Sequence, residues 1–265
     1  MREVGKEELR EIQIAILLSI HEFCQQQGLR YSLSCGTLLG AVRHKGYIPW
    51  DDDIDIMMPR PDYEKFRMSY PGFNPNYTVQ SYHTDTSYWF NFVKVFDNRT
   101  LFIESAARNG VYVDVFPIDG FPADDQDFKN ILERVTTLTN RDLRWATKEF
   151  CVRANKNDKI LHFLKYLCHC PIVPSRTKTI KRIDELLMSH PFDDSPIAGM
   201  FFFDRVVGKL PRPLYQQYKL IEFEGHSLCC IVETHQFLEC LYGDYMQLPP
   251  VEQRVGGHNI HAYWL

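Results

Sequence analysis

The chain has 265 residues, 45% hydrophobic and 24% charged, which is ordinary for a globular protein with a full core and leads us to expect one large domain or two small ones. Its net charge of −4 gives no general attraction to nucleic acid, so we expect no nucleic-acid partner. The charge is uneven, because residues 141–182 hold 11 Lys and Arg against three acids. Such a basic segment suits an anionic substrate or peripheral contact with a lipid surface.

The start of the chain carries no pattern typical of a signal peptide. Its first apolar run, residues 12–20, follows an acidic, helix-favouring stretch and lacks a small-residue cleavage site. No uncharged apolar run reaches the ~18 residues of a membrane span. We therefore expect a cytoplasmic protein, in contact with the inner face of the membrane if residues 141–182 bind lipid.

The eight cysteines are expected to be thiols in that compartment. Cys168 and Cys170, with His162 nearby, lack the C-x₂-C spacing of a zinc knuckle. Buried free thiols are therefore favoured over a structural zinc site, because Cys packs as a small hydrophobe.

The N-terminal pattern predicts a helix over residues 7–27, with apolar residues at helical spacing and Gly28 as a left-handed stop. After a short strand, Gly36 and Thr37 open a second predicted helix that ends at about His44. A strand, a glycine turn and a helix start in this order form a cradle for phosphate, because backbone N–H groups and the helix dipole point at the anion.

An unusually acidic stretch follows, with four carboxylates between Asp51 and Asp55. If residues 53–58 form a strand, Asp53 and Asp55 share one face and the aliphatic residues share the other. Two carboxylates this close repel by roughly 4 kcal/mol at an effective dielectric near 20, so they need a proton, a basic partner or a metal. Oxygen ligands with positions left open for phosphate suit Mg²⁺ or Mn²⁺. The alternative is an acidic surface turn, which would not need the apolar neighbours present here.

A second predicted strand, residues 111–117, holds one carboxylate among β-branched and aromatic residues. A buried acid is costly unless it is paired or ligating, so Asp114 is the third candidate metal ligand. Asp119, which follows Pro117, is expected to order a turn.

Two basic residues are candidate phosphate contacts, each with a simpler alternative. Lys94 shares a strand face with Phe92 and Phe96, and it either reaches a phosphate or is exposed on the strand. Arg43 lies at the end of the second helix, where a cation is favourable without any ligand.

The alternation of strands and helices predicts a mixed α/β (α+β) protein. We divide it into a catalytic core at 1–120, a basic helical region at 121–195 and a C-terminal segment at 196–265 that completes the site, packed as one unit. Further strands are predicted at 77–82, 90–96, 100–104 and 197–203, helices at 62–70, 125–150, 156–168, 176–189 and 233–242, and a hairpin at 219–231 that turns at Glu224-Gly225.

A Gly-Thr helix opening, an Asp-x-Asp strand and a lone strand Asp together resemble the nucleotidyltransferase fold. Residues 36–55 closely resemble the LicD family of phosphocholine transferases, to which the catalytic regions of fukutin and fukutin-related protein are similar. Residues 113–119 resemble its second block and residues 241–258 its C-terminal block, although this chain carries His258 alone where relatives often have paired His. The resemblance is weakest across about 120–200. It implies a mixed sheet flanked by helices, with a helical insertion and a C-terminal hairpin-helix segment.

The resemblance also implies a reaction, namely metal-dependent transfer of phosphocholine from CDP-choline to a sugar hydroxyl of a lipid-linked glycan precursor, such as teichoic acid or lipopolysaccharide. Phosphodiester transfer needs positioning and charge neutralisation more than covalent help. In that reaction Mg²⁺ or Mn²⁺ would be held by Asp53, Asp55 and Asp114, and phosphates would be contacted by Gly36, Thr37, Lys94 and Arg43.

Two roles stay open between several residues. The hydroxyl proton could go to Asp51, Asp52 or His258. The quaternary ammonium of choline calls for an aromatic cage, for which Trp50, Trp89 and Tyr88 are candidates by position in the sequence.

Three alternatives to this reading remain. The chain could add a whole nucleotide to a small molecule or RNA with the same acids. It could transfer another CDP-linked alcohol phosphate, such as ribitol or ethanolamine phosphate. It could also be a non-catalytic protein on the same fold, although the intact acids argue against that.

Overall fold

The computed structural model describes residues 1–86, 88, 90–104, 107–139, 176–202, 205–254 and 261–265. Several predictions fall outside these residues and have no structural outcome. They are the helix at 156–168, the end of the helix at 125–150, most of the basic segment 141–182, the pair Cys168 and Cys170, and the site residues Trp89 and His258.

The helices of the described residues fall close to where the apolar periodicity predicts them. The first ends at Gly28, whose φ of 63° is the predicted left-handed stop. None of the described helices is long and apolar enough to cross a membrane. The helices are α1 (Lys6–Gln27), α2 (Cys35–His44), α3 (Arg60–Ser69), α4 (Asp125–Leu138), α5 (Arg176–Leu187) and α6 (Thr234–Tyr242).

The strands form three sheets. They are β1 (Arg2–Glu3), β2 (Ser32–Leu33), β3 (Asp55–Pro59), β4 (Tyr77–Gln80), β5 (Val93–Asp97), β6 (Thr100–Glu104), β7 (Ala107–Asn109), β8 (Tyr112–Phe121), β9 (Ile197–Phe202), β10 (Arg205–Pro211), β11 (Tyr218–Phe223), β12 (His226–Ile231) and β13 (His261–Trp264).

The largest sheet has seven strands and confirms the predicted mixed topology. Its main path runs β10-β9-β8-β3-β2, and β5 joins β8 and then β4. The pairing of β3 with β8 is parallel, whereas β8 is antiparallel to both β5 and β9. The first half of β8 therefore lies between β3 and β5, and its last residues pair with β9.

Burial explains why β8 is at the centre of this sheet. All ten of its residues are buried, as expected for a strand that is covered on both faces. Ile54 and Ile56 are also fully buried, which confirms that the aliphatic residues of the acidic stretch face the core. Each such side chain contributes roughly 1.5–3 kcal/mol by leaving water.

The hairpin of β11 and β12 turns where the sequence predicts. Glu224 and Gly225 have φ values of 50° and 75°, the left-handed conformation that a two-residue hairpin turn requires at both positions. Its tip contacts the loop after α2, because the Glu224 N–H donates to the Lys45 carbonyl at 2.8 Å and the Tyr47 N–H donates to Glu224 Oε1 at 2.8 Å.

The prediction that Asp119 orders a turn was wrong. Asp119 lies inside β8 and is 1% exposed, where its two oxygens accept from Arg60 Nε at 2.6 Å and Nη2 at 2.8 Å. Arg60 Nη1 lies 2.9 Å from Asp184 Oδ1, and the Tyr82 hydroxyl donates to Asp184 Oδ2 at 2.7 Å. This buried network joins α3, β8 and α5, so a partner 59 residues away sets the role of Asp119.

Four strands were not predicted, namely β1, β7, β10 and β13. The sequence of β10 contains Gly208 in a left-handed conformation (φ 63°) and a register shift against β9, which interrupts the alternation expected of a strand. Strands β1 and β13 pair with each other, and β13 also pairs with β6. Their pairing joins the two ends of the chain, which local patterns do not reveal.

Candidate active site

Strand register brings the two strand acids and Lys94 into one row across the sheet. Asp55 of β3 is directly opposite Asp114 of β8, and Asp114 is directly opposite Lys94 of β5. Residues in register on adjacent strands point to the same face. We call Asp55, Asp114 and Lys94 the charged row.

Lys94 and Asp114 form a buried ion pair within this row. Lys94 Nζ lies 2.7 Å from Asp114 Oδ1 and 3.0 Å from Oδ2. Lys94 is 5% exposed and Asp114 is 9% exposed. Asp114 is therefore a buried acid whose partner in this structure is Lys94, and its role as a metal ligand stays a prediction.

The other acids come from the loop that precedes β3. The strand begins at Asp55 and not at the predicted Asp53, so these two residues do not share a strand face. The loop nevertheless brings carboxyl oxygens of Asp51, Asp52 and Asp53 within 4.8 Å of one another. Asp51 and Asp53 line the same cleft as Asp55 and Asp114.

Negative charge accumulates around Asp55. Burial raises the pKa of its carboxyl well above the usual range, and repulsion by Asp53, Asp114 and Asp51 raises it further, whereas Lys94 lowers it. One ammonium group thus faces several carboxylates, and the site can accept further positive charge.

The loop at 45–54, between α2 and β3, carries Asp51, Asp52 and Asp53, and we call it the acid loop. Side chains of helix α1 hold the backbone of this loop. Arg10 Nη2 donates to the carbonyls of Ile48, Pro49 and Asp51 at 3.2, 3.3 and 2.9 Å. Gln13 Nε2 donates to the Asp52 carbonyl at 2.9 Å. The side chains of two α1 residues therefore fix the backbone path of the loop. That path in turn sets the positions of the carboxylates that the loop carries.

The start of α2 lies directly against these acids. Thr37 is buried, and its hydroxyl accepts from the Asp55 N–H at 2.8 Å, so it fixes the first residue of β3. A Cβ on Gly36 would lie 2.6 Å from Asp51 Oδ2. The predicted phosphate cradle at Gly36 and Thr37 is therefore packed against the acid loop, and only glycine allows this approach.

The charged row lines a cleft of about 710 Å³ together with Gly36, Asp51 and Asp53. This is the size of many small-molecule sites. Aromatic rings surround the charged row. Lys94 Nζ lies 3.4 Å from the ring centroid of Tyr112 and 5.3 and 5.5 Å from those of Phe90 and Phe92. These contacts are cation–π interactions.

The C-terminal part of the chain supplies a further wall of the cleft. The segment at 196–265 was expected to complete the site, but its individual lining residues were not predicted, and they include the cations Arg205 and Lys209 on β10. Lys209 Nζ is 3.3 Å from Asp125 Oδ1 and 3.8 Å from the Phe128 ring centroid. Lining residues of this wall are Met200, Phe202, Arg205, Val206, Val207, Gly208, Lys209, Cys240, Leu241 and Tyr242.

The remaining predicted contacts have mixed positions. Trp50 lines the cleft, and Arg254 lies 5.5 Å from its ring centroid. Arg43 is not among the lining residues, and its Nη1 donates to the Tyr245 carbonyl at 2.8 Å. Burial lowers the pKa of Arg43, and repulsion by Arg254 lowers it further. Tyr88 is buried and lies off the cleft.

The donor set fits a hard divalent cation. Every acid that lines the cleft offers carboxylate oxygen, which Mg²⁺ and Mn²⁺ prefer. The thiols of Cys35 and Cys240 also line the cleft, but burial raises the pKa of Cys35 and nearby carboxylates raise it further. A thiolate ligand is disfavoured there.

Comparison with known proteins gives a family match and a full-length relative. Residues 28–154 match the family model described as the LicD/FKTN/FKRP nucleotidyltransferase domain. The chain is 28% identical over 276 aligned positions to the lipopolysaccharide cholinephosphotransferase LicD of Haemophilus influenzae, with 100% of each chain covered. Residues 28–154 therefore carry a LicD-type domain, and the likeness to a LicD transferase extends over the whole chain. That likeness makes the chain a transferase.

Shorter matches were found in two rickettsial proteins. An uncharacterised protein of Rickettsia prowazekii is 40% identical over 76 residues, 28% of each chain. Another, from Rickettsia typhi, is 41% identical over 58 residues, which is 22% of this chain and 19% of that protein. The LicD domain match contains the charged row and the acid loop, whereas the wall at 200–242 lies beyond it.

Proposed function

We propose that the chain transfers phosphocholine from CDP-choline to a sugar hydroxyl of a lipid-linked cell-surface glycan, with lipopolysaccharide as the acceptor class, in a reaction that requires Mg²⁺ or Mn²⁺. The single observation that carries this proposal is the charged row with the acid loop beside it, on the floor of a cleft large enough for a nucleotide. The full-length relative that acts on lipopolysaccharide supports the acceptor class.

Asp53, Asp55 and Asp114 would hold the divalent cation, which would supply neutralisation of the donor's diphosphate charge. The chain's own residues position the reactants. Lys94 and the start of α2 lie beside the acids and face the phosphates of a donor that fills the cleft.

The transfer is a displacement at phosphorus. The acceptor hydroxyl oxygen forms a bond to the phosphorus that carries choline, the bond from that phosphorus to the oxygen of CMP breaks, and CMP leaves with the electron pair. The hydroxyl proton goes to a carboxylate or imidazole, for which Asp51, Asp52 and His258 are the candidates. Asp51 lines the cleft.

The aromatic lining suits the choline head group. The cleft that holds the acids is also lined by Trp50, Phe90, Phe92 and Tyr112. Faces of such rings attract a quaternary ammonium without a hydrogen bond. These rings replace Tyr88 in the proposed cage, because Tyr88 does not line the cleft.

A second candidate is nucleotide addition, favoured by the family description of the matched domain as a nucleotidyltransferase. Both reactions use the same acids. They differ in which phosphorus is attacked, and therefore in whether phosphocholine or CMP is joined to the acceptor.

The test of the metal site is Asp55→Asn, which removes a charge from the row at nearly constant volume. We expect release of CMP from CDP-choline with lipopolysaccharide and Mg²⁺ to fall on the order of 100-fold or more. The control is Asp193→Asn, an exposed acid outside the cleft, which should keep the wild-type rate. Undiminished CMP release by Asp55→Asn would refute the metal mechanism.

A further inference from the structure

Lys94 occupies the position that a metal would need at Asp114. Its ammonium group contacts both oxygens of that carboxylate, at 2.7 and 3.0 Å. A divalent cation ligated by Asp114 would lie at about 2.0–2.6 Å from a carboxylate oxygen. The two cations would then share one carboxylate within a few ångströms, in a buried place where their repulsion is poorly screened.

We propose that Lys94 is the internal counter-ion of Asp55 and Asp114, and that a divalent cation displaces its ammonium group from Asp114 toward the phosphates of the donor. This inference rests on the metal-dependent function proposed above and deepens it. It assigns Lys94 two successive partners, a carboxylate in the empty cleft and a phosphate in the loaded one.

Burial explains why an internal counter-ion is needed. Asp55 and Asp114 lie in register on adjacent strands, and Asp114 is 9% exposed. Bulk counter-ions compensate such carboxylates poorly, and without a fixed cation their repulsion would oppose packing of β3 against β8. Lys94 comes from the opposite side of β8, so it compensates the row without closing the cleft.

Its surroundings allow Lys94 to move. Lys has a compact charge on a flexible four-carbon stem, unlike the planar fork of Arg. The rings of Phe90, Phe92 and Tyr112 surround Nζ and line the cleft. They offer the ammonium group attractive faces along the way from Asp114 into the cleft.

The direct test compares Mn²⁺ affinity without any donor, by calorimetry, in wild type, Lys94→Met and Lys209→Met. If Lys94 competes with the metal, Lys94→Met should bind Mn²⁺ about tenfold more tightly or better. Lys209 also lines the cleft but pairs with Asp125, so Lys209→Met should match wild type. Equal or weaker binding by Lys94→Met would overturn the proposal.

A double variant locates the effect. In the Asp114→Asn background, Lys94→Met should give no further gain, because the carboxylate for which metal and ammonium compete is absent. A full gain in that background would mean that Lys94 acts elsewhere, which contradicts the proposal.

A second measurement follows the displacement in the wild-type chain, and a variant serves only to assign the signal. The ¹⁵N resonance of the Lys94 ammonium, assigned with Lys94→Arg as the blank, should move or broaden on addition of Mg²⁺ as the contact with Asp114 is lost. An unchanged resonance at saturating Mg²⁺ would refute the displacement.

The calorimetry also separates the two proposals. If neither wild type nor Lys94→Met binds Mn²⁺, the metal proposal fails as well. If wild type binds Mn²⁺ and Lys94→Met binds it no more tightly, only the role of Lys94 fails.

Discussion

Asp55 is the residue on which local structure and electrostatics converge. Its N–H is held by Thr37, its position begins β3, and its carboxyl is surrounded by other acids. Burial and these neighbours raise its pKa, so ionised Asp55 opposes folding in the metal-free protein. A site that binds a cation strongly is, for the same reason, strained without it.

The sign of this effect gives a pH-dependent prediction. A carboxyl whose pKa is higher in the folded than in the unfolded state binds protons more tightly when folded, so its contribution to stability falls as pH rises from the unfolded pKa to the folded one. Asp55→Asn should therefore stabilise the metal-free protein at pH 7.5, on the order of 1 kcal/mol. The gain should shrink as pH falls toward 4, because Asp55 is then protonated in the folded state and becomes increasingly protonated in the unfolded state as well.

Thermal unfolding in EDTA at these two pH values measures the difference, with Asp193→Asn as the control. The account expects the variant that loses activity to melt at a higher temperature than wild type at pH 7.5. A lower melting temperature at pH 7.5 would show that ionised Asp55 stabilises the empty fold and would contradict the electrostatic picture.

Gly36 shows what a residue-level motif encodes. The sequence predicts a phosphate cradle at Gly36 and Thr37, and the structure adds a packing reason for the glycine, since Asp51 lies where a Cβ would be. Thr37 likewise proves to be a buried anchor for Asp55. Neither contact could be predicted from the sequence, because spacing alone does not say which carboxylate meets which helix end.

At the scale of elements, α1 acts as the support of the acid loop. Arg10 donates to three carbonyls of that loop and its guanidinium carbon lies 4.5 Å from the Tyr47 ring centroid. Because the loop carries Asp51 and Asp53, its path decides whether these acids and Asp55 can serve one cation.

Arg10→Met is the corresponding prediction. It removes the donors and keeps much of the aliphatic stem, so we expect a loss of about 1–2 kcal/mol in stability and a reduction on the order of tenfold in kcat for CMP release. Arg2→Met, which removes an exposed arginine paired with Glu8, is the control. If activity fell only in proportion to the folded fraction, Arg10 would stabilise the fold without positioning the acids.

Local signals in the sequence predicted most helices and strands. Non-local pairing explains why β1 and β13 were not predicted. Helix α1 with Gly28, the hairpin at Glu224-Gly225 and α6 with Gly243 each carry their own stop or turn signal. By contrast, β13 is a strand because of a distant partner, and β10, which pairs with the neighbouring β9, is interrupted by Gly208 and a register shift. The position of Asp119 also depends on a distant partner, Arg60.

At the scale of the whole molecule, the cleft is assembled from three distant parts of the chain. The acid loop with the start of α2 supplies one side, β5 and β8 supply the floor, and residues 200–242 supply a further wall. The sequence predicted the first two, because acids and glycines carry recognisable chemistry. For the third it predicted only that the segment at 196–265 completes the site. It did not predict which residues do so, because apolar residues with two cations look like any strand until the sheet order places them.

This arrangement gives the C-terminal segment a part in the site. The predicted boundary at 120 lies within β8, and β9 of the C-terminal segment pairs with the end of that strand. Arg205 and Lys209 line the same cleft as the acids. The division of the chain into three regions stays a prediction about the sequence.

The central claim is that phosphocholine, and not the nucleotide, is joined to the acceptor. The most direct measurement uses CDP-choline that carries one isotope in choline and another in cytidine, incubated with the chain, Mg²⁺ and lipopolysaccharide that lacks phosphocholine. The account predicts that the choline label enters the lipopolysaccharide while the cytidine label is released as CMP. Cytidine label in the lipopolysaccharide, with choline label released, would contradict it and identify the chain as a nucleotidyltransferase.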